Sequence, residues 1–180
     1  MQVQTIFIEG PLVIKPSIFN DPRGYFYESY NEPNYQKVGI QHHFVQDNQS
    51  CSQKGTIRGL HFQAAPFDQG KLVRVVRGAV IDVVVDIRKN SPTYGKHYSI
   101  ELNEQNHTQF WIPPGFAHGF ETLEDNTLFL YKCTNLYDKA SEGGLLWNDP
   151  ELGIQWQTQQ ALVSEKDTQL PLLKNLISPF

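Results

Sequence analysis

The stretch KLVRVVRGAVIDVVVDI, residues 71–87, decides the fold class. Its β-branched residues suit a pleated, packed surface better than a helix. It is interrupted once, at Arg77-Gly78, where a hairpin turn is expected between strands over 72–76 and 79–87. Side chains of a strand alternate, so Val80, Asp82, Val84 and Asp86 share one face, and Ala79, Ile81, Val83, Val85 and Ile87 the other. If the face with the two aspartates is interior, each needs a partner, because a buried unpaired carboxylate is strongly unfavourable.

Further short strand patterns flank this centre, at 2–8, 25–30, 44–48, 98–102, 108–112, 116–121 and 127–134. Turn chemistry separates them: Asn20-Asp21-Pro22-Arg23-Gly24, Asn103 to Asn106, and Pro113-Pro114-Gly115. Ser50 to Gly55 reads as loop. No strand–helix alternation is visible, so an all-β sandwich or barrel is predicted over a single domain, 1–180. Two short helices are expected at its periphery. One covers Glu32 to Val38 after an Asn31 cap; the other is a turn opened by Ser164, with Asp167 three residues on. The apolar tail (Leu170, Leu172, Leu173, Leu176, Ile177) should pack on the barrel or on a partner.

The charge balance, 15 basic against 19 acidic residues, argues against a nonspecific nucleic-acid binder. No apolar run reaches membrane-spanning length. The first thirty residues carry Glu9, Asp21 and Arg23 in place of a signal-peptide core, so a cytoplasmic protein is the expectation. Cys51 and Cys133 are expected as reduced, partly buried thiols; two cysteines make neither a disulfide framework nor a zinc set.

The chemistry concentrates in GTIRGLHFQ (55–63) and Lys71, which bring an arginine, a histidine and a lysine together among glycines. His61 can serve as a base near neutral pH, with Arg58 and Lys71 available to hold an anionic intermediate or a phosphate. A hydrogen-bonded structural histidine and a surface arginine fit the spacing equally well. In an unbroken strand Arg58 and His61 fall on opposite faces, so a shared pocket requires a bend, which Gly59 permits. His118, between Phe116 and Phe120, reads as either a core or a pocket histidine. Tyr131 is a barrel-lining aromatic or a proton donor, and Asp167 a capping acid or a site residue. The six histidines show no His-x-His pair, and no metal is expected. No phosphate-binding glycine loop is present, so a nucleotide would depend on separate side chains such as Arg23, Arg58, Lys71, Phe19, Phe26 and Tyr137.

Six segments in order, DPRGYFYESY (21–30), QDNQSCSQKGTIRGLHFQ (46–63), GKLVRVVRGAVIDVVVDIRKNSPTYGK (70–96), WIPPGFAHGF (111–120), YKCTNLYDKASEGGLLWNDP (131–150) and SEKD (164–167), closely resemble the dTDP-4-dehydrorhamnose 3,5-epimerase family. The resemblance implies a cupin jelly-roll barrel and a cofactor-independent isomerase that inverts C3 and C5 of a dTDP-linked 4-keto-6-deoxy sugar. It makes His61 the base, Asp167 its tautomer-fixing partner, Tyr131 the proton donor and Lys71 the oxyanion partner. Arg58, His118, Gln46, Asn48, Lys166 and Glu142 would bind substrate or order the pocket, with Tyr137 beside them. Arg23 and Glu28 would reach the neighbouring subunit's nucleotide, in a homodimer with exchanged N-terminal strands, and Phe19 and Phe26 are further candidates for binding substrate. Phe62 and the run Asn135-Leu136-Tyr137 depart slightly from the family pattern. A related enzyme acting at C3 or C5 alone is the alternative, as are a non-catalytic sugar-binding barrel and a metal-dependent barrel enzyme.

Overall fold

The computed structural model describes residues 1–180. Its strands are β1 (Gln2–Thr5), β2 (Leu12–Lys15), β3 (Phe19–Asp21), β4 (Gly24–Phe26), β5 (Gln46–Ser52), β6 (Thr56–Gln63) and β7 (Lys71–Arg77). They continue with β8 (Ala79–Asp86), β9 (His97–Asn103), β10 (Gln109–Ile112), β11 (Phe116–Thr122), β12 (Thr127–Cys133), β13 (Glu142–Gly144) and β14 (Leu162–Val163). Two short helices, α1 (Glu32–Lys37) and α2 (Glu165–Thr168), lie at the periphery. The strands form two facing sheets, β1-β2-β10-β7-β12-β5 and β13-β6-β11-β8-β9, with β14 added to β6 and β3-β4 forming a separate ribbon. This is the cupin jelly-roll arrangement.

Between the sheets, Val73 and Val75 of one meet Val80, Val84 and Phe120 of the other, with Phe110 and Phe129 completing the core. β8 is buried on both faces. Its alternate residues Val83 and Val85, with Ile87 just beyond, pack outward against Leu145, Leu152 and Leu173, so the C-terminal segment covers the second sheet. The tail therefore packs on its own barrel, although Ile177 stays exposed. On the outside of the first sheet, Tyr35 and Ile40 cover Ile14, Leu72 and Trp111. Both expected caps are present: the Asn31 side chain accepts from Asn34 N, and Ser164 accepts from Asp167 N.

Four expectations need correction. Arg77-Gly78 is not a hairpin turn: β7 pairs with β10 and β12, whereas β8 pairs with β9 and β11 in the opposite sheet. Gly78 is the corner between sheets, with φ +78° and Thr127 packed against it too closely for any side chain. Ser50 to Ser52 is strand rather than loop, because β5 runs the full length of β12. Its polar residues suggest a loop, but Ser50 lines a polar cavity and Ser52 accepts from Arg58. The strand expected over 25–30 ends at Phe26; beyond it the Ser29 carbonyl is taken by the Tyr35 hydroxyl and the Gln109 amide instead of by a ladder. Cys51 is exposed, and only Cys133 is buried.

Candidate active site

β6 runs between β13 and β11, and it forms one wall of a cleft lined by both sheets. The deeper part, about 490 Å³, is lined by Arg58, His61, Lys71, His118, Tyr131, Lys166, Asp167 and Asn48, among others. An adjoining hollow of about 300 Å³ adds Gln46, Gln63, Tyr137 and Glu142, and shares Asn48, His61, Lys71 and Tyr131 with the first. Arg58 and His61 open into the same cavity because the β6–β11 register shifts between His118 and Phe120, opposite Gly59 at φ +133°. Gly119 lies against this point, where a Cβ would meet the Arg58 carbonyl at 2.6 Å, so two glycines let the strands close over the bulge.

His61 and Tyr131 come from opposite sheets. The His61 Nε2 lies 2.7 Å from Asp167 Oδ1. The other Asp167 oxygen accepts from Gly59 N–H at 3.2 Å, and the Ser164 cap holds the start of α2. Burial pushes the Asp167 carboxyl up, but the hydrogen bonds from His61, Gly59 and Ser164 outweigh it and hold it below the usual carboxylate range. An ionised carboxylate only accepts, so Nε2 carries the proton that faces it, and Nδ1 is left without a partner in the chain.

Tyr131 stands on β12 beside Phe129, with ring centroids 6.0 Å apart. Burial raises its phenol above the ordinary tyrosine value, with Cys133 adding and Arg58 opposing, so it stays protonated and can donate. Lys71 opens β7, opposite Cys133 and Ile112. It has no salt-bridge partner within the chain. Burial lowers its ammonium below the usual lysine range, while Cys133, Asp82 and Glu142 oppose the shift. An ammonium so placed is directed toward whatever negative charge enters the cleft.

At the mouth, Lys166 Nζ and the Tyr137 hydroxyl both bind Glu142 Oε2, at 2.6 and 3.0 Å. Burial raises the Glu142 carboxyl, and these two contacts more than reverse it. Gln46 accepts from Tyr137 N and donates to Asn48, whose amide donates to the Cys133 sulfur. The Arg58 guanidinium donates to Ser52 Oγ at 3.1 Å.

Four expected residues lie elsewhere in the chain. Phe19 and Phe26 face each other across the β3–β4 ribbon, 64% and 70% exposed. Arg23 at its tip pairs with Asp21 at 2.6 Å. Glu28 is held by the Asn31 and Asn34 amides. Phe19, Phe26 and Glu28 border a separate hollow with Met1 and Lys37. Sequence reading missed Ser50, Ser164 and Phe129 as cavity residues. The alternation Gln46, Asn48, Ser50, Ser52 was the available signal for Ser50. No three His, Cys, Asp or Glu side chains converge in a metal-holding arrangement.

The family model described as dTDP-4-dehydrorhamnose 3,5-epimerase matches residues 5–175. A dTDP-4-dehydrorhamnose 3,5-epimerase of Salmonella typhimurium is 51% identical over 168 residues, 92% of each chain. The crystal structure of a Legionella pneumophila 3,5-epimerase in complex with dTDP-4-keto-L-rhamnose superposes with a TM-score of 0.94 at 45% identity, covering 97% of this chain and 94% of that one. A dTDP-4-dehydrorhamnose 3-epimerase of Streptomyces niveus is more distant, 38% identical over 174 residues, 96% of this chain and 84% of its own.

Proposed function

The chain belongs to the dTDP-4-dehydrorhamnose 3,5-epimerase family, and from that premise we propose that His61, Tyr131, Lys71 and Asp167 divide its chemistry among them. The reaction is an isomerisation: C3 and C5 of dTDP-4-keto-6-deoxy-D-glucose are inverted to give dTDP-4-keto-L-rhamnose. The protons on both carbons are acidified by the C4 ketone. His61 Nδ1 takes the proton, leaving an enolate whose oxygen is held by the Lys71 ammonium. Tyr131 delivers a proton from the other side of the ring, which inverts the carbon; exchange with solvent then takes the proton from His61 and reprotonates Tyr131 before the second carbon is inverted. Asp167 keeps the imidazole in the tautomer that this requires and stabilises the imidazolium. Electrons stay within the sugar, so the step is redox-neutral.

The observation that carries this assignment is the placement of His61 and Tyr131 on facing sheets across one cavity, with Lys71 lining the same space. Arg58, His118, Gln46, Asn48, Glu142, Lys166 and Tyr137 bind the sugar nucleotide or order the mouth of the cleft. Phe19, Phe26, Arg23 and Glu28 serve the neighbouring subunit of a homodimer with exchanged N-terminal strands. The exposed aromatic ribbon and the exposed residues of β1 support that reading. No helix is long and apolar enough to cross a membrane, and a cytoplasmic setting suits a nucleotide-sugar substrate.

Incubation with dTDP-4-keto-6-deoxyglucose in deuterated water tests the assignment. Deuterium should enter at both C3 and C5, with inversion at each. Exchange confined to one carbon would instead identify a single-position epimerase.

A further inference from the structure

A second imidazole–carboxylate pair lies in the same cleft. His118 is in register with His61 across the β6–β11 ladder, and its Nε2 lies 2.9 and 3.1 Å from the two oxygens of Asp82. Asp82 is wholly buried among Val80, Val84 and Phe120, and His118 is its only hydrogen-bonded side chain. A carboxylate in such surroundings is costly to keep. It accepts from no loop or cap donor; its one hydrogen-bond partner is the imidazole of His118 on the adjacent strand β11.

We infer that Asp82 is a positioning residue that holds His118 as its Nε2–H tautomer, so that His118 Nδ1 offers a lone pair to a ring hydroxyl of the sugar beside the Lys71 ammonium. The inference deepens the epimerase reading and rests on it. An ionised carboxylate can only accept, so the proton between the pair belongs to Nε2. Burial, with Asp82 opposing, keeps His118 below the ordinary histidine range, so the ring is neutral and carries a single proton. Nδ1 has no partner within the chain, and the ring borders the cavity. Phe129 lies nearly parallel to it, with ring centroids 6.4 Å apart and an interplanar angle of 22°. The cavity floor thus presents an acceptor, Nδ1, near a group that only donates, Lys71 Nζ. A 4-keto sugar carries the complementary pair: a carbonyl oxygen that only accepts and an adjacent hydroxyl that donates. Asp82 would therefore set which way the ketone and its neighbouring hydroxyl face the base.

Nitrogen-15 NMR of the wild-type protein at neutral pH, with the His118 signals assigned by their loss in His118→Gln, reads the tautomer directly. The expected result is neutral Nε2–H. An Nδ1–H ring or an imidazolium at His118 would overturn the proposal without any variant of Asp82 having to fold. In Asp82→Asn the amide can donate to Nε2 and move the ring proton to Nδ1. Turnover measured as kcat/KM should then fall roughly tenfold, about the worth of one hydrogen bond, while binding of dTDP changes little. Unchanged kcat/KM in a folded Asp82→Asn would also overturn it. Deuterium exchange by the wild type in the same preparation separates the two levels. No exchange at C3 or C5 overturns the epimerase reading and the hydroxyl contact with it, whereas exchange with the wrong His118 tautomer overturns the role of Asp82 alone.

Discussion

Arg58 and His61 open into one cavity although their separation of three would place them on opposite faces of a regular strand. Gly59 makes the difference. Its φ of +133° lies where L side chains rarely go, and a Cβ there would meet Gly119 Cα at 2.5 Å and the His118 carbonyl at 2.9 Å. Gly59→Ala should therefore destabilise the protein by about 2–4 kcal/mol, combining backbone strain with a clash against backbone that cannot move aside. Chemical denaturation measures the loss. Activity should fall further than the folded fraction does, because the surviving molecules would hold Arg58 and His61 out of their shared orientation.

His61 and Tyr131 should separate two stages of the reaction. His61→Asn removes the base, and exchange at both C3 and C5 should drop by about 10²–10⁴-fold. Tyr131→Phe leaves the base and its Asp167 partner intact. Deuterium should still enter the sugar, but inversion should be impaired at one carbon at least. Proton NMR of the sugar in deuterated water reads both quantities in one sample. An equal, severe loss of initial exchange in the two variants would remove the separate roles.

Lys71 has no ionic partner in the chain, and burial already disfavours its charge. Lys71→Met keeps the stem and removes the ammonium. The expected loss in kcat is about 10²–10³-fold, the scale for deleting one oxyanion donor. The melting temperature should hold or rise, because no ion pair is broken and a buried charge is gone. Calorimetry alongside the rate assay checks this opposition of stability and activity.

Acid should unfold the protein through two separable windows. His118 is held below its ordinary value of 6.5 by burial, so on acidification the unfolded chain binds a proton there that the folded chain resists. That contribution is lost as pH falls below about 6.5. Asp86 behaves in the lower window. Burial raises its carboxyl, but Arg88, Ser91 and Thr93 hold it at about 2. The stability gained from that shift, about 2 kcal/mol, is complete above about pH 4 and is lost as pH falls toward 2. Asp167 and Glu142 shift in the same direction. Urea midpoints across pH 3–8 should lose the upper phase in His118→Gln and part of the lower phase in Asp86→Asn.

Much of the fold could be read locally. The alternation in β8 sorted its residues correctly between the inter-sheet core and the outer face, because period 2 is a property of the strand itself. The Asn31 and Ser164 caps were legible for the same kind of reason: a cap is satisfied within three residues. β5 was cut short because Ser50 and Ser52 look like loop residues when the strand is assumed to face an apolar core. Ser50 instead lines a polar cavity, and Ser52 is buried and accepts from Arg58. The His61–Asp167 pair followed from family likeness, since the two residues lie 106 positions apart.

The amino-acid sequence alone determined the strand periodicity, the caps, the family and the inventory of chemical groups, because each is written in neighbouring residues or in an ordered run of motifs. Only the tertiary structure decided that β7 and β8 part company at Gly78, that Asp82 meets His118, and that His61 and Tyr131 stand on opposite walls of one cavity. Local pattern sets which face a side chain occupies. Which distant strand comes to lie against that face depends on how the whole set of hydrogen-bonded edges and apolar faces can be satisfied together.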